Sequence, residues 1–234
     1  MSAEIIAEIG QNHNGDMQMA CDLIRAAKDC GADVAKFQLY DARALFAKEN
    51  NPWFDYNCST ELSRAQIDVL ANECAKVDIE FMASVFDTSR VDWLENVGVK
   101  RYKIASRSVR EYSLIERLLA TGKPLLVSLG MWGKKEFPVI KSRAPVEFLY
   151  CISKYPTPLN ELKLSEVDFK SHSGFSDHSI GISGSLAAIS LGARIIEKHF
   201  TLDKTLYGPD HAGSMTPEEL TALAAYAAEI SEAL

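Results

Sequence analysis

Short apolar runs alternate with helix-like segments from one end of this chain to the other, and that alternation restricts the fold more than any other feature. Eight runs rich in Ile, Val, Leu and Phe, bounded by turn residues, are the strand candidates: 4–10, 34–40, 80–86, 101–106, 124–130, 146–153, 173–179 and 194–201. The intervening segments carry readable helix ends. Ser63-Arg64-Ala65-Gln66 and Ser113-Leu114-Ile115-Glu116 read as capping boxes, in which the cap hydroxyl and the third-position side chain satisfy free backbone N–H groups reciprocally. Thr216-Pro217-Glu218-Glu219 adds a proline at the first helical position, where no N–H is needed. Leu220, Leu223, Ala227, Ile230 and Leu234 then follow at helical spacing, and Gly31, Gly98, Gly122 and Gly192 stand where helices should stop.

Eight β-α alternations in 234 residues predict one (β/α)8 barrel over residues 1–234, because such barrels take ~250 residues. A doubly wound open sheet is the alternative, disfavoured by the lack of a Gly-rich first turn. Two places break the pattern. Residues 41–62 form a long connection carrying Asn50-Asn51-Pro52-Trp53-Phe54, expected as a βα-loop over the active-site face. Trp53 and Phe54 would serve there either as a substrate lid or as loop packing. Between Gly130 and Val146 only fifteen residues remain and Pro138 interrupts them, so the fifth helix should be shortened or missing.

Composition bounds the partners. A chain that is 47% apolar and 24% charged, with a net charge of −7, fits a soluble globular protein. It argues against nucleic acid or an anionic membrane as main partner, but not against a small anion held by local lysines. The five cysteines (Cys21, Cys30, Cys58, Cys74, Cys151) are scattered without a C-x-x-C pair, as expected of reduced thiols in a cytoplasmic protein. Cys21, Cys74 and Cys151 read as core residues. The first strand starts too early for a signal peptide, and no apolar run approaches the ~18 residues of a membrane span.

In such a barrel the active site forms at the C-terminal strand ends. Those ends deliver, in order, Glu8, Lys36 with Gln38, Ser84, Lys103 with Ser106, Ser128, Ser153 with Tyr155, Ser176 with His178, and Glu197 with His199. Side chains two apart share a face, so Glu197 and His199 should point inward and Lys198 outward. Lys36 and Lys103 should also face inward. Two inward lysines with the hydroxyls of Ser84, Ser106, Ser128, Ser153 and Ser176 would make a cationic, donor-rich cup suited to phosphate or carboxylate. Salt bridges to Glu8 or Glu197 are the competing use of both lysines. His178 and His199 sit near the carboxylates Glu8, Glu197 and Asp210, without cysteine partners. That donor set fits Mn²⁺ or Mg²⁺ with open positions better than structural zinc, although either histidine alone is more often a hydrogen-bonded structural residue.

At these residues the chain resembles the N-acetylneuraminate (sialic acid) synthase family. The likeness is carried by 6–15 (IAEIGQNHNG), 35–38 (AKFQ), 102–106 (YKIAS), 155–158 (YPTP), 174–179 (GFSDHS), 197–201 (EKHFT) and 208–211 (GPDH), in that order. It implies a (β/α)8 barrel that condenses phosphoenolpyruvate with an N-acylated, N-acetylmannosamine-like amino sugar in its open aldehyde form. Phosphate is released and the product is a nine-carbon, sialic-acid-like 2-keto-3-deoxy acid. The implied metal is Mn²⁺ (or Mg²⁺/Co²⁺) on His178 and His199. The implied phosphoenolpyruvate site is Lys36, Ser84, Lys103, Ser106, Ser128 and Ser176, while Glu8, Gln38, Tyr155 and Asp210 meet the sugar or the reacting water. Glu8, Lys103, Tyr155 and Asp210 are the expected catalytic residues, with Ser153 as a further ligand contact where the family usually has asparagine.

The pattern is edited toward the sugar. Ser106-Arg107-Ser108 stands where the family commonly has Ser-Gly-Glu, which removes a carboxylate expected near the sugar. The antifreeze-like C-terminal domain usual in the family has no counterpart before Leu234. A short form is expected, with a homodimer or a separate lid-domain protein as partner. Two other readings stay open: a Schiff-base aldolase on Lys103 or Lys36, in which the histidines have no role, and a non-catalytic relative that binds phosphoenolpyruvate or sugar without turnover.

Overall fold

A computed structural model describes residues 2–234. Eight parallel strands close into a barrel in sequence order. They are β1 (Glu4–Gly10), β2 (Val34–Leu39), β3 (Glu80–Val85), β4 (Tyr102–Ile104), β5 (Leu125–Ser128), β6 (Val146–Cys151), β7 (Gly174–Asp177) and β8 (Ile195–His199). Each of the eight predicted runs contains one of them. Helix α1 (Met17–Asp29) joins β1 to β2. The long connection after β2 folds as α2 (Ala42–Leu45), α3 (Phe54–Ser59) and α4 (Arg64–Lys76). Helices α5 (Val91–Asn96), α6 (Tyr112–Leu119) and α7 (Ser183–Ser190) precede β4, β5 and β8, and α8 (Pro217–Ala233) follows β8.

The helix ends follow the sequence with one exception. Ser63 with Gln66 and Thr216 with Glu219 form complete capping boxes. Ser113 caps nothing: it lies inside α6, whose N-cap is Glu111 without a side-chain cap bond. A 3₁₀ turn at Ser106–Ser108 runs almost directly into that helix, with Glu111 N–H donating to the Ser108 carbonyl at 3.0 Å, so the helix begins earlier than the motif implies. Gly31, Gly98, Gly122 and Gly192 all adopt the positive φ of helix termination.

Between β5 and β6 the described residues form no helix, and a strap over 131–145 takes its place. Phe137 of the strap packs on Phe148 with ring centroids 5.1 Å apart. After β6 two 3₁₀ turns, Leu159–Glu161 and Leu164–Glu166, replace a sixth helix, a loss the sequence reading does not anticipate. The outward residues Val146, Phe148 and Tyr150 are only half-buried in consequence, whereas Ala35, Phe37 and Leu39 of β2 are fully covered.

Inside the barrel, strand parity stacks side chains in layers. At the N-terminal end Arg101 pairs with Glu4 and, at 2.9 Å, with Glu80. Above it lies an apolar plug of Ile6, Val34, Met82, Leu126, Leu149 and Ile195, each such burial worth about 1.5–3 kcal/mol. Two residues further along, the strands present Glu8, Lys36, Ser84, Lys103, Ser128, Ser176 and Glu197. The plug thus gives these polar groups a dry floor and confines the chemistry to the C-terminal face.

Burial has a measurable consequence in the loop after β1. His13 is 1% exposed, its Nδ1 accepts the Gly15 N–H at 3.1 Å, and its Nε2 has no hydrogen-bond partner. Loss of solvent pulls its pKa from 6.5 to about 4. Below pH ~6.5 the unfolded chain therefore takes up a proton that the folded chain refuses, so this group costs stability as the pH falls. The expected loss is about 3 kcal/mol by pH ~4. His13→Asn, which can still accept from Gly15, should flatten that part of a urea-midpoint profile.

All five cysteines are free thiols, and Cys74 is buried in the core while Cys21 is half-buried. Among the described residues no helix is long and apolar enough to cross a membrane.

Candidate active site

The C-terminal strand ends surround a cavity of about 460 Å³. All the residues singled out from the sequence line it: Glu8, Lys36, Gln38, Ser84, Lys103, Ser106, Ser128, Ser153, Tyr155, Ser176, His178, Glu197, His199 and Asp210. The floor is a connected network. Lys36 Nζ lies 2.6 Å from Glu8 Oε2 and 3.5 Å from Glu197 Oε2, and donates to Ser84 Oγ at 3.0 Å. Lys103 Nζ donates to Ser128 Oγ at 2.7 Å and lies 3.5 Å from Glu197 Oε1. Ser176 Oγ donates to Glu197 Oε1 at 3.0 Å, and Gln38 Nε2 to Glu8 Oε1 at 2.7 Å.

The cup is therefore not a simple cation: the salt bridges to Glu8 and Glu197, the competing use expected of both lysines, are formed. Two glutamates balance two lysines. Burial alone would lower the pKa of Lys36, but Glu197 and Glu8 outweigh it and hold the ammonium above its ordinary pKa. For Lys103 burial wins, with repulsion from Lys36 offsetting part of the pull of Glu197, and its pKa is lowered. Burial pushes the other way on Glu197, yet the two lysines and Ser176 bring its pKa down to about 2. An incoming anion would meet lysines already desolvated and positioned, so little reorganisation would remain to be done.

Above the floor stand the histidines. His178 Nδ1 lies 2.7 Å from the Ile152 carbonyl, which can only accept, so Nδ1 carries the proton and Nε2 is the free nitrogen. His199 Nδ1 is buried without a hydrogen-bond partner, and Asp210 Oδ2 is 4.0 Å away. The two rings are 6.1 Å apart between centroids, and the Tyr155 ring lies 4.0 Å from that of His178. Among the described residues no group of three or more His, Cys, Asp or Glu side chains is arranged to hold a metal. What the site offers a divalent ion is two imidazoles, one of them with an orphaned buried nitrogen, and room for water or substrate oxygens.

Outside the barrel Lys198 turns away from the floor, as parity predicts. Its Nζ reaches the Ser179 carbonyl and lies 3.2 Å from Asp177 Oδ2. Asp177 also accepts from Ser179 and Ser185, tying the ends of β7 and β8 together behind the histidines.

Three features escaped the residue-by-residue reading. Cys151 is buried, as expected, but it also lines the cavity, with Sγ 3.4 Å from Ser106 Oγ and 3.9 Å from His178 Nδ1. Its shared parity with Ser153 was the available signal. Gly10 ends β1 at φ +55, where a Cβ would press on Gln38, Glu8 and His199 at 3.2–3.4 Å. A Cβ on Gly130 would meet Ser153 Oγ at 2.5 Å and Cys151 Sγ and Ser106 Oγ at 3.0 Å, so a side chain there would displace cavity-lining groups.

The connection after β2 does cover the site. Leu45, Phe46, Asn51 and Trp53 line the cavity. Trp53 also packs on Tyr207 and Tyr56, at 5.3 and 5.8 Å between centroids, so it serves as both wall and loop packing. Phe54 is not among the lining residues. Of the edited stretch after β4, Ser108 is buried inside its turn and only Ser106 and Arg107 face the cavity.

A profile of the NeuB family matches residues 23–234, nearly the whole chain. The chain belongs to the NeuB family. It is 36% identical to the N,N'-diacetyllegionaminic acid synthase of Legionella pneumophila, over 94% of this chain and 70% of that one. It is 34% identical to human N-acetylneuraminate-9-phosphate synthase, over 94% of this chain and 67% of the relative. Among solved structures, the N-acetylneuraminic acid (sialic acid) synthetase of Leptospira borgpetersenii in complex with citrate superimposes with a TM-score of 0.89 at 31% identity. That match covers all of this chain and 85% of the other. Family membership makes the chain an enzyme of the sugar-acid synthase type, and the barrel is the family's barrel.

Proposed function

We propose that this NeuB-family protein condenses phosphoenolpyruvate with the open-chain aldehyde of an N-acylated, N-acetylmannosamine-like amino sugar. The enol carbon of phosphoenolpyruvate bonds to the aldehyde carbon, water adds to the neighbouring carbon, and phosphate departs. The product is a 2-keto-3-deoxy sugar acid. The observation that carries the reading is the charge-balanced floor of Lys36, Lys103, Glu8 and Glu197 beneath His178 and His199 in one cavity.

In this reading Lys36 and Lys103, with Ser84, Ser106, Ser128 and Ser176, hold the carboxylate and phosphate of phosphoenolpyruvate through charge-assisted hydrogen bonds. The free Nε2 of His178 and the orphaned nitrogen of His199 would hold Mn²⁺, Mg²⁺ or Co²⁺. Such an ion would supply Lewis-acid polarisation of a carbonyl oxygen. Glu8, which accepts a hydrogen bond from Gln38, would orient or deprotonate the attacking water. Tyr155 and Asp210, at the mouth beside the histidines, meet the sugar hydroxyls, and Ser153 contacts the ligand from β6.

The test is phosphate release. It should require both phosphoenolpyruvate and an amino sugar, and should stop on removal of divalent metal. Full activity without metal would overturn the metal assignment. A borohydride-trapped pyruvate adduct on Lys103 or Lys36 would replace the scheme by imine chemistry. Tight phosphoenolpyruvate binding with no release across a broad sugar panel would make the chain a binding protein.

A further inference from the structure

The mouth of the cavity holds a cation, Arg107, that the scheme above does not use. Arg107 follows β4 and lines the mouth, exposed there, whereas Lys36 and Lys103 are buried on the floor. It differs from both lysines in having no carboxylate within ion-pair distance among the described residues. Its one hydrogen bond is a long 3.3 Å contact to the Leu45 carbonyl, and Phe46 supports the guanidinium with its ring centroid 5.3 Å away. A guanidinium has five donors. One weak bond leaves most of them unused, and an aromatic platform fixes the plane of the fork without neutralising its charge. Partial desolvation lowers its pKa, opposed only by the more distant pull of Glu111. A bound anion would relieve that cost.

The position in the barrel gives the group its meaning. The strands close in sequence order, so β4 and β8 lie half a turn apart. Asp210, after β8, stands on the histidine side of the mouth, and Arg107 stands on the opposite side. A sugar whose aldehyde sits over the floor near the histidines extends outward, and its far end meets the β4 side. We infer that Arg107 selects an amino sugar bearing an anionic group, a phosphate monoester or a carboxylate, at the end remote from the aldehyde. The inference rests on the synthase reading and sharpens its second substrate.

The experiment compares three sugars matched except at the terminal carbon: the free hydroxyl, the phosphate monoester and the carboxylate. Phosphate release is measured at saturating phosphoenolpyruvate and Mn²⁺. The better of the two anionic sugars should exceed the neutral one in kcat/KM on the order of 10- to 100-fold, mainly through KM, as expected for charge-assisted bonds. Whether phosphate or carboxylate leads identifies the anion. Arg107→Gln should bring the ratio close to one, and Arg107→Lys should keep part of it, because a point charge retains attraction but not the fork. Added salt should erode the ratio in the wild type, since the group is exposed. A wild-type ratio at or below one, or a ratio that Arg107→Gln leaves intact, overturns the inference while leaving the synthase reading standing. Absence of release with all three sugars sinks both.

Discussion

Lys103→Met should reduce phosphoenolpyruvate-dependent phosphate release by about 10³-fold or more, the scale expected when a preorganised charge is removed from a dry site. The loss should come in two separable parts. Lys103 and Lys36 together balance Glu8 and Glu197, and all four side chains are nearly inaccessible to solvent. Deleting one ammonium leaves a buried negative charge in excess, and Glu197 loses the stronger of the two attractions that hold its pKa near 2. Breaking a buried pair in this way costs about 3–5 kcal/mol, so the single variant should also unfold at lower urea. The double variant Lys103→Met, Glu197→Gln removes one charge of each sign. It should regain most of the stability, because Ser176 can still donate to the amide oxygen, but none of the turnover. Lys103→Arg should not rescue activity either, because a planar fork does not reproduce the point charge whose Nζ sits 2.7 Å from Ser128 Oγ. Urea midpoints and phosphate release on the same preparations check both halves. Recovery of turnover in the double variant would show that Lys103 acts only on the fold.

The architecture was legible because two periodicities are superimposed in these strands. Outward residues such as Ala35, Phe37 and Leu39 are apolar, and inward ones turn from apolar to polar at the C-terminal end, as in Val34, Lys36 and Gln38. That switch within one face announces both a barrel and the end that carries its site. What stayed hidden depends on distance rather than order. Sequence can place Lys36, Lys103, Glu8 and Glu197 on one layer, but not say that the lysines are claimed by the glutamates. Residue type alone points Cys151 to the core, where it is buried, and only its parity with Ser153 signals that it also faces the cavity. Ser113-Leu114-Ile115-Glu116 has the letters of a capping box, but the turn at Ser106–Ser108 had already started the helix. The missing helix after β6 has a partial mark: Leu159 and Leu162 are spaced for one helical face, but Leu164, two residues on, falls on the opposite side. Arg107 enters the sequence reading only as part of a departure, because the lack of any carboxylate within ion-pair distance among the described residues depends on the fold.

Metal binding should be visible without any turnover. If His178 and His199 hold a divalent ion, Mn²⁺ at about 100 times its Kd stabilises the folded chain by roughly 2.7 kcal/mol, since the unfolded chain has no such site. The wild type should therefore melt several degrees higher with Mn²⁺ than after chelation. His178→Asn and His199→Asn should each abolish that shift. Each should lower phosphate release by about 10³-fold, corresponding to about 4 kcal/mol of lost transition-state stabilisation. The double variant should be scarcely worse than either single one, because two ligands that share one ion fail together. The two positions should differ in one respect. His178 is locked by its Nδ1–H bond to the Ile152 carbonyl, and its partner strand is fixed from behind by Lys198 and Asp177. His199 has no such anchor on Nδ1 and faces Asp210 at 4.0 Å. Asp210→Asn should consequently weaken the Mn²⁺ shift by removing a negative charge 4.0 Å from the nitrogen that would take the ion. A Mn²⁺-induced shift that survives both histidine substitutions would place the ion elsewhere and remove the histidines from the proposed chemistry.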